Sequence, residues 1–466
     1  MDDQNKNLLL ATGLSFLVLI GWMLLFPPEQ VTPIEDQSIL DKQTKSQIQV
    51  DETSTILDNA EDQKNTTAKR VSIETKRLSG SIWLKGGRID DLRLIDYYDS
   101  QGQDAKNVVM LKPTGQEQSY YAVYGWSAVA GLATTDVPNA NTIWSLTSAN
   151  SVLTEKAPIT LQWKNTKGII FQKEISIDEN FMFSIQQSVL NTTNSNFKVA
   201  PYGIIARQGR PDTIGFYILH EGVVASKDGE LMETKYKKIP DQPFLQNENG
   251  NVVVHQITKN GWIGFTDKYW MTTLIPKAGQ AFKMATKYTP QTDIYQTDMR
   301  LPSIIVQSGE QVSVGSNFFA GAKEVNTIKT YEQNLSIENF VDSVDWGWFF
   351  FLTKPIFSML TFFYEITGNM GWAIILLTLA IKTALFPLAY KSYVSMSKMK
   401  KLQPEMEKIK EKTAGDRVKL QQEMMLMYKK EKVNPAAGCL PIIPQIPIFF
   451  SLYKVHFVTI EVRHAP

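Results

Sequence analysis

The chain has 466 residues, a formal net charge of +1 and a slightly negative mean hydropathy, values that alone describe a soluble protein of two or three domains. Its single cysteine, Cys439, excludes an internal disulfide, and its place in an apolar run points to neither a thiolate nucleophile nor a thiolate metal site. Four scattered histidines form no HExxH and there is no GxxxxGK[ST] loop, so zinc chemistry and nucleotide hydrolysis have no support and no cofactor is expected.

The averages conceal a segregated chain. Residues 8–26, LLLATGLSFLVLIGWMLLF, are long enough to cross a bilayer, end at Pro27-Pro28 and carry no A-x-A cleavage site, which marks an uncleaved signal anchor. From 29 to about 70 the composition is polar and free of aromatic residues, as in a tether that cannot bury enough surface to fold. From about 71 to 334 short alternating runs recur between turn residues: Ile82 and Leu84 before Gly86-Gly87; Ile159, Leu161 and Trp163 before 165–168; Ile175 and Ile177; Phe181, Phe183 and Ile185. This period of two predicts antiparallel strands of one large sandwich, with no long helical pattern. His220 and His255 lie in this region without a paired carboxylate motif and read as structural.

Residues 346–363, WGWFFFLTKPIFSMLTFF, suit either a span or a helix lying in the interface. Topology favours the interface, with Lys354 snorkelling outward, because a second span here would carry the basic segment that follows to the wrong side.

Residues 372–390, WAIILLTLAIKTALFPLAY, form a spanning helix with one charge, Lys382, near its midpoint. A lysine there is costly against lipid and is expected to face other helices or a water-filled cavity. Snorkelling to Tyr390 would need roughly 12 Å at 1.5 Å per residue, beyond the usual reach of the side chain. Thr378 lies one turn back on the same face, and Pro387 frees a carbonyl in the preceding turn, so one stripe of the helix is polar.

Residues 391–432 hold twelve Lys or Arg against six Asp or Glu, which places them in the cytoplasm. Met396, Met399, Leu402, Met406 and Ile409, then Leu420, Met424 and Met427 after Asp416, repeat at helical spacing and predict a hairpin with Asp416 capping the second arm. The methionine seam suits core packing or an adaptable surface for varied apolar segments. The basic flanks suit anionic lipid headgroups, ribosomal RNA or plain solvation, with no sequence-specific nucleic-acid reading. After Asn434-Pro435, the run at 436–458 carries Pro441, Pro444, Gln445 and Pro447; carbonyls freed by these prolines need partners, so this helix also borders a polar space.

The segments GWIGFTDKYW from Gly261, FFAGAKE from Phe318, VDWGWF from Val344, GNMGWAIILLT from Gly368, LFPLAYKSYVSMSKMKKLQPEM from Leu385 and EKVNPAAGCLPIIPQIPIFFSLYKV from Glu431 resemble the YidC/Oxa family of membrane insertases in its Gram-negative form. The resemblance covers nearly the whole chain. It implies an α-helical transmembrane part plus an all-β periplasmic domain, a supersandwich like galactose mutarotase, and a multi-pass protein of the bacterial inner membrane. The implied organisation is an anchor at 1–28, a linker at 29–70, the β domain at 71–340, an interfacial helix at 341–367, a span at 368–390, a cytoplasmic hairpin at 391–433, a span at 434–460 and a periplasmic end at 461–466. The family's core has five spans, of which this chain carries the first two plus the anchor, as in a truncated chain. The resemblance further implies no enzymatic activity and a hydrophilic groove, lined by Lys382, Thr378, Pro387, Gln445 and Pro447, that opens to the cytoplasm. The lone basic residue of that groove matches Lys382, a position more often held by arginine. Implied partners are nascent membrane proteins, the Sec translocon, the ribosome and membrane lipids. Two other classes compete: a membrane-anchored carbohydrate-modifying enzyme, which needs a pocket where His220 or His255 faces a carboxylate, and a periplasmic scaffold of the translocation machinery.

Overall fold

A computed structural model of the chain describes residues 68–466 apart from 217, 414, 432, 434–440, 464 and 466. The expected anchor, nearly all of the linker, the Asn434-Pro435 step and Cys439 lie outside the described residues.

The alternating runs form strands where their period places them. Ile159–Lys164, Ile170–Ile177 and Met182–Leu190 pair antiparallel in succession, and their inward positions, Leu161, Phe171, Ile175, Phe183 and Ile185, are almost fully buried. These strands belong to a nine-stranded sheet in which Gln311–Ala322 lies between Met182–Leu190 and Trp270–Pro276. A twelve-stranded sheet faces it, with Phe197–Gln208 between Tyr120–Ala130 and Ile294–Arg300. Trp126 meets Phe171 across the two layers with ring centroids 6.5 Å apart, and Tyr120 meets Phe265 at 6.3 Å. Each such aromatic burial stabilises the sandwich by roughly 1.5–3 kcal/mol before entropy is counted. At Gly264 the neighbouring strand passes so close that an added Cβ would stand 1.8 Å from the Thr272 carbonyl oxygen.

One helix was not expected in this region. Helix α1, Val325–Asn334, closes the β domain and buries Val325, Ile328 and Tyr331. Its apolar spacing is helical, but a ten-residue segment gives too few repeats to stand out among strands.

The chain then becomes helical: α2, Phe350–Thr367; α3, Met370–Lys412; α4, Arg417–Lys430; and α5, Ile442–Val458. Gly368 ends α2 in the left-handed conformation, φ +65°, with its N–H bonded to the Tyr364 carbonyl, and the Asn369 side chain accepts from Trp372 N to start α3. Helix α3 runs unbroken through Tyr390 for 43 residues, so the span and the first hairpin arm are one rod rather than two elements. At 1.5 Å per residue that is about 65 Å, roughly twice the ~30 Å of a hydrocarbon core. Asp416 caps α4 as expected, its side chain accepting from Val418 N and Lys419 N. Helix α2 packs against both α3 and α5 and bridges them.

Candidate functional site

Among the described residues, α3 is the one helix both long and apolar enough to cross a membrane, and α5 is a shorter apolar helix of 17 residues. Helix α2 buries a stripe, Thr353, Ile356, Phe357 and Leu360, and exposes Phe350, Phe351, Met359, Phe362 and Ile366. Such two-faced character suits a surface helix as well as a lipid-facing one. Its Lys354 does not run free toward water; it pairs with Asp342 at 2.5 Å, in the short turn Phe340–Ser343 ahead of the helix.

Burial along α3 is uneven. Met370, Ala373 and Leu377 are covered in its first turns, and the next buried residue is Ser392. Lys382 lies between them, about 18 Å along the axis from Met370, and is exposed. Among the described residues Lys382 has no hydrogen bond or ion pair to Thr378 or Gln445. The Thr378 hydroxyl donates instead to its own helix at the Ile374 carbonyl, 2.8 Å away. Thr383, whose carbonyl has no N–H partner from Pro387, likewise turns its hydroxyl to the Leu379 carbonyl at 2.8 Å. Pro387 is exposed, whereas Gln445 and Pro447 are half-buried on the first half of α5. The predicted residues therefore sit on two helices that each pack against α2, and among the described residues Lys382 forms no ion pair.

In the hairpin, Met427 is buried and Met399, Met406 and Met424 are half-buried, while Met396 is exposed. The Tyr428 hydroxyl approaches Met406 Sδ at 3.8 Å across the two arms. Met425, Leu426 and Val418 are exposed on α4, an apolar face outside the seam that the sequence reading did not single out.

Neither His220 nor His255 lines either of the two clefts described in the β domain, of about 520 and 170 Å³. Burial pushes His220 down to about 4, and its Nε2 pairs with the Val223 carbonyl at 2.9 Å. His255 is half-buried on strand Gly250–Ile257.

Comparison with known proteins decides the family. Residues 70–359 match the family model described as the YidC periplasmic domain, and residues 362–466 match the 60Kd inner membrane protein model. The chain belongs to the YidC family of membrane protein insertases. It is 54% identical over 477 residues to the membrane protein insertase YidC of Dinoroseobacter shibae and 53% identical over 476 residues to that of Roseobacter denitrificans, covering all of this chain and 78% of each relative. Its β domain, residues in the family's periplasmic match, and its inner-membrane match agree with an all-β periplasmic unit followed by membrane helices. Solved structures similar to part of the chain include a galactose mutarotase related enzyme from Lactobacillus acidophilus, with TM-score 0.37, 10% identity, and coverage of 54% of this chain and 97% of that one. Another is a galactose mutarotase-like protein from Lactobacillus casei, with TM-score 0.35, 8% identity, and coverage of 54% of this chain and 100% of that one. These distant likenesses carry nothing about chemistry, and the YidC family consists of insertases rather than enzymes.

Proposed function

We propose that this insertase uses Lys382 to draw the polar, often acidic, tail of a nascent membrane protein into a wet groove that reaches halfway across the bilayer. The observation that carries this reading is a lysine near the centre of the apolar run 372–390, on the one described helix long and apolar enough to span the membrane, exposed and without an ion pair among the described residues. A lysine in that place is costly against lipid, by about 2.5–3.5 kcal/mol on the insertion scale, and it persists where water or a counter-charge reaches it. An acidic group in the passing tail bears a similar cost alone, and the cation at short range offsets part of it. Thr378, Pro387, Gln445 and Pro447 supply the remaining polar groups of the groove. The apolar segment that follows the tail then leaves along α3 and α5 into lipid, driven by its own transfer free energy and without a nucleotide.

In this reading the β domain is periplasmic, α2 lies in the outer interface, α3 and α5 span the inner membrane, and the basic hairpin is cytoplasmic. Its positive flanks meet anionic headgroups or the ribosome, and its methionines, Met396 above all, offer adaptable apolar contact to the arriving chain. The Sec translocon is a partner for substrates whose large polar domains exceed the groove. The test is photocrosslinking of ribosome-bound nascent chains from probes at Leu379 and Phe386, which flank Lys382 and are exposed, with Ile305 on the β domain as control. Crosslinks confined to the α3 positions support the groove; equal labelling at Ile305 rejects it.

A further inference from the structure

Helix α5 carries one lysine, Lys454, one turn before its last residue, Val458, at the end the proposed topology makes periplasmic. A lysine so placed ordinarily snorkels to water. Here it is buried, 2% exposed, with Nζ 2.7 Å from Asp345 Oδ2 and a further bond donated to the Ile218 carbonyl. Asp345 is itself held by the backbone N–H of His220 at 2.8 Å. Gly347, at φ +72°, leaves room for the lysine: an added Cβ would stand 3.3 Å from Lys454 Cε. One side chain of α5 therefore joins the loop that leads into α2 to the β-domain loop 218–220.

The residues around it extend the seat. Phe216 packs on Phe457 with ring centroids 5.3 Å apart, and Lys268 Nζ lies 3.8 Å from the centre of the Phe457 ring. Beyond the helix, Arg463 donates to the Tyr98 carbonyl at 2.8 Å and lies over the Trp270 ring. At the opposite end of α5, Ile442, Ile443, Ile446 and Phe449 are exposed among the described residues, while Gln445 and Pro447 are half-buried.

We propose that Lys454 is a positioning residue: its seat on Asp345 and the Ile218 carbonyl pins the periplasmic end of α5 to the β domain and so sets the depth and tilt of one wall of the groove. A buried charge whose partner is removed is strongly unfavourable, whereas loss of both partners is far less so; the pair therefore acts as a register device that tolerates neither single loss. The β domain becomes the fixed base for that end of α5.

The inference rests on the insertase reading only for its second readout. The full chain, with Cys439→Ala so that labels attach at chosen sites, carries one spin label at Ile305 of the β domain and one at Ile443 of α5, and the inter-label distance is measured in lipid bilayers. Lys454→Met and the isosteric Asp345→Asn should each broaden the distribution at least about twofold, and the double variant should be no broader than the worse single, as expected of residues acting through one contact. Insertion should fall in parallel for substrates with acidic and neutral tails alike. An unchanged distribution in either single variant with an intact β-domain circular dichroism spectrum, or effects that add in the double variant, would overturn the pin. Should Lys454→Met fail to accumulate, Asp345→Asn alone decides. Broadening in the single variants of a protein whose wild-type form inserts nothing would instead remove the insertase reading and leave the pin standing.

Discussion

Glu461 Oε1 accepts a hydrogen bond from the backbone N–H of Val325 at 2.8 Å, so a carboxylate from the tail beyond α5 caps the first turn of α1 in the β domain. The residue that precedes that helix in sequence, Glu324, is turned away to Arg77, Tyr97 and Thr327. Two neighbouring carboxylates thus have opposite environments.

Burial pushes Glu461 up to about 7, from an ordinary value of 4.5, with the nearby Glu324 charge acting in the same sense. With the folded value above the unfolded one, the cost of ionising Glu461 is absent below about pH 4.5, grows between 4.5 and 7, and is complete above 7, at about 3 kcal/mol. Glu461→Gln should therefore raise the melting temperature of the docked protein at pH 8 and leave it nearly unchanged at pH 4.5. Thermal melts of both forms across this range read the difference directly.

Glu324 shows the reverse dependence. Burial works against its charge, but hydrogen bonds from Arg77, Tyr97 and Thr327 outweigh it and hold the carboxyl below its ordinary value. Its contribution is complete above pH 4.5 and is lost as pH falls through the lowered folded value. Glu324→Gln should destabilise the β domain by about 2–4 kcal/mol at pH 7, because the Arg77 and Tyr97 groups lose a charged acceptor. Denaturant melts at pH 7 and in acid should show that difference shrinking as pH falls.

At Gly264 no side chain fits between the strands. Gly264→Ala would press a methyl group onto the Thr272 carbonyl and force Gly261–Thr266 from Trp270–Pro276, costing about 3 kcal/mol or more. The expected result is loss of folded β domain in a limited-proteolysis assay, while Thr272→Ser, which leaves the backbone in place, keeps it.

The strand pattern and the Asp416 cap were legible in the sequence because both depend on neighbours a few residues apart: Phe171, Ile175 and Ile177 alternate, and Asp416 stands just ahead of the amides it accepts from. The unity of α3 was not, because hydropathy changes at Tyr390 while nothing there stops a helix, and the helix also continues through Pro404. Lys354 reads locally as a snorkelling lysine, and Lys454 is not singled out by its spacing; their partners Asp342 and Asp345 are set by packing that the sequence pattern does not reveal. Lys382, Thr378 and Gln445 each stand out in the sequence as polar residues within apolar runs, whereas the packing of α2 against both helices that carry them is set by contacts that spacing does not reveal.

The cap on α4 offers a local test. Asp416→Ala removes the acceptor of Val418 N and Lys419 N and should cost about 0.5–2 kcal/mol of helix stability. Amide hydrogen exchange across Arg417–Lys430 should accelerate by roughly the corresponding factor, about 2- to 30-fold, with the β-domain amides unchanged.

The charge of Lys382 is the centre of the account, and an insertion assay pairing acidic with neutral translocated tails tests it most directly. Lys382→Arg should preserve insertion, Lys382→Ala should impair acidic tails more than neutral ones, and Lys382→Glu should be worst for acidic tails because like charges repel at short range. Expression and melting controls accompany each variant. Equal loss for acidic and neutral tails in Lys382→Ala, at unchanged stability, would contradict attraction of the substrate by charge and leave hydration of the groove or local thinning of the bilayer as the surviving mechanism.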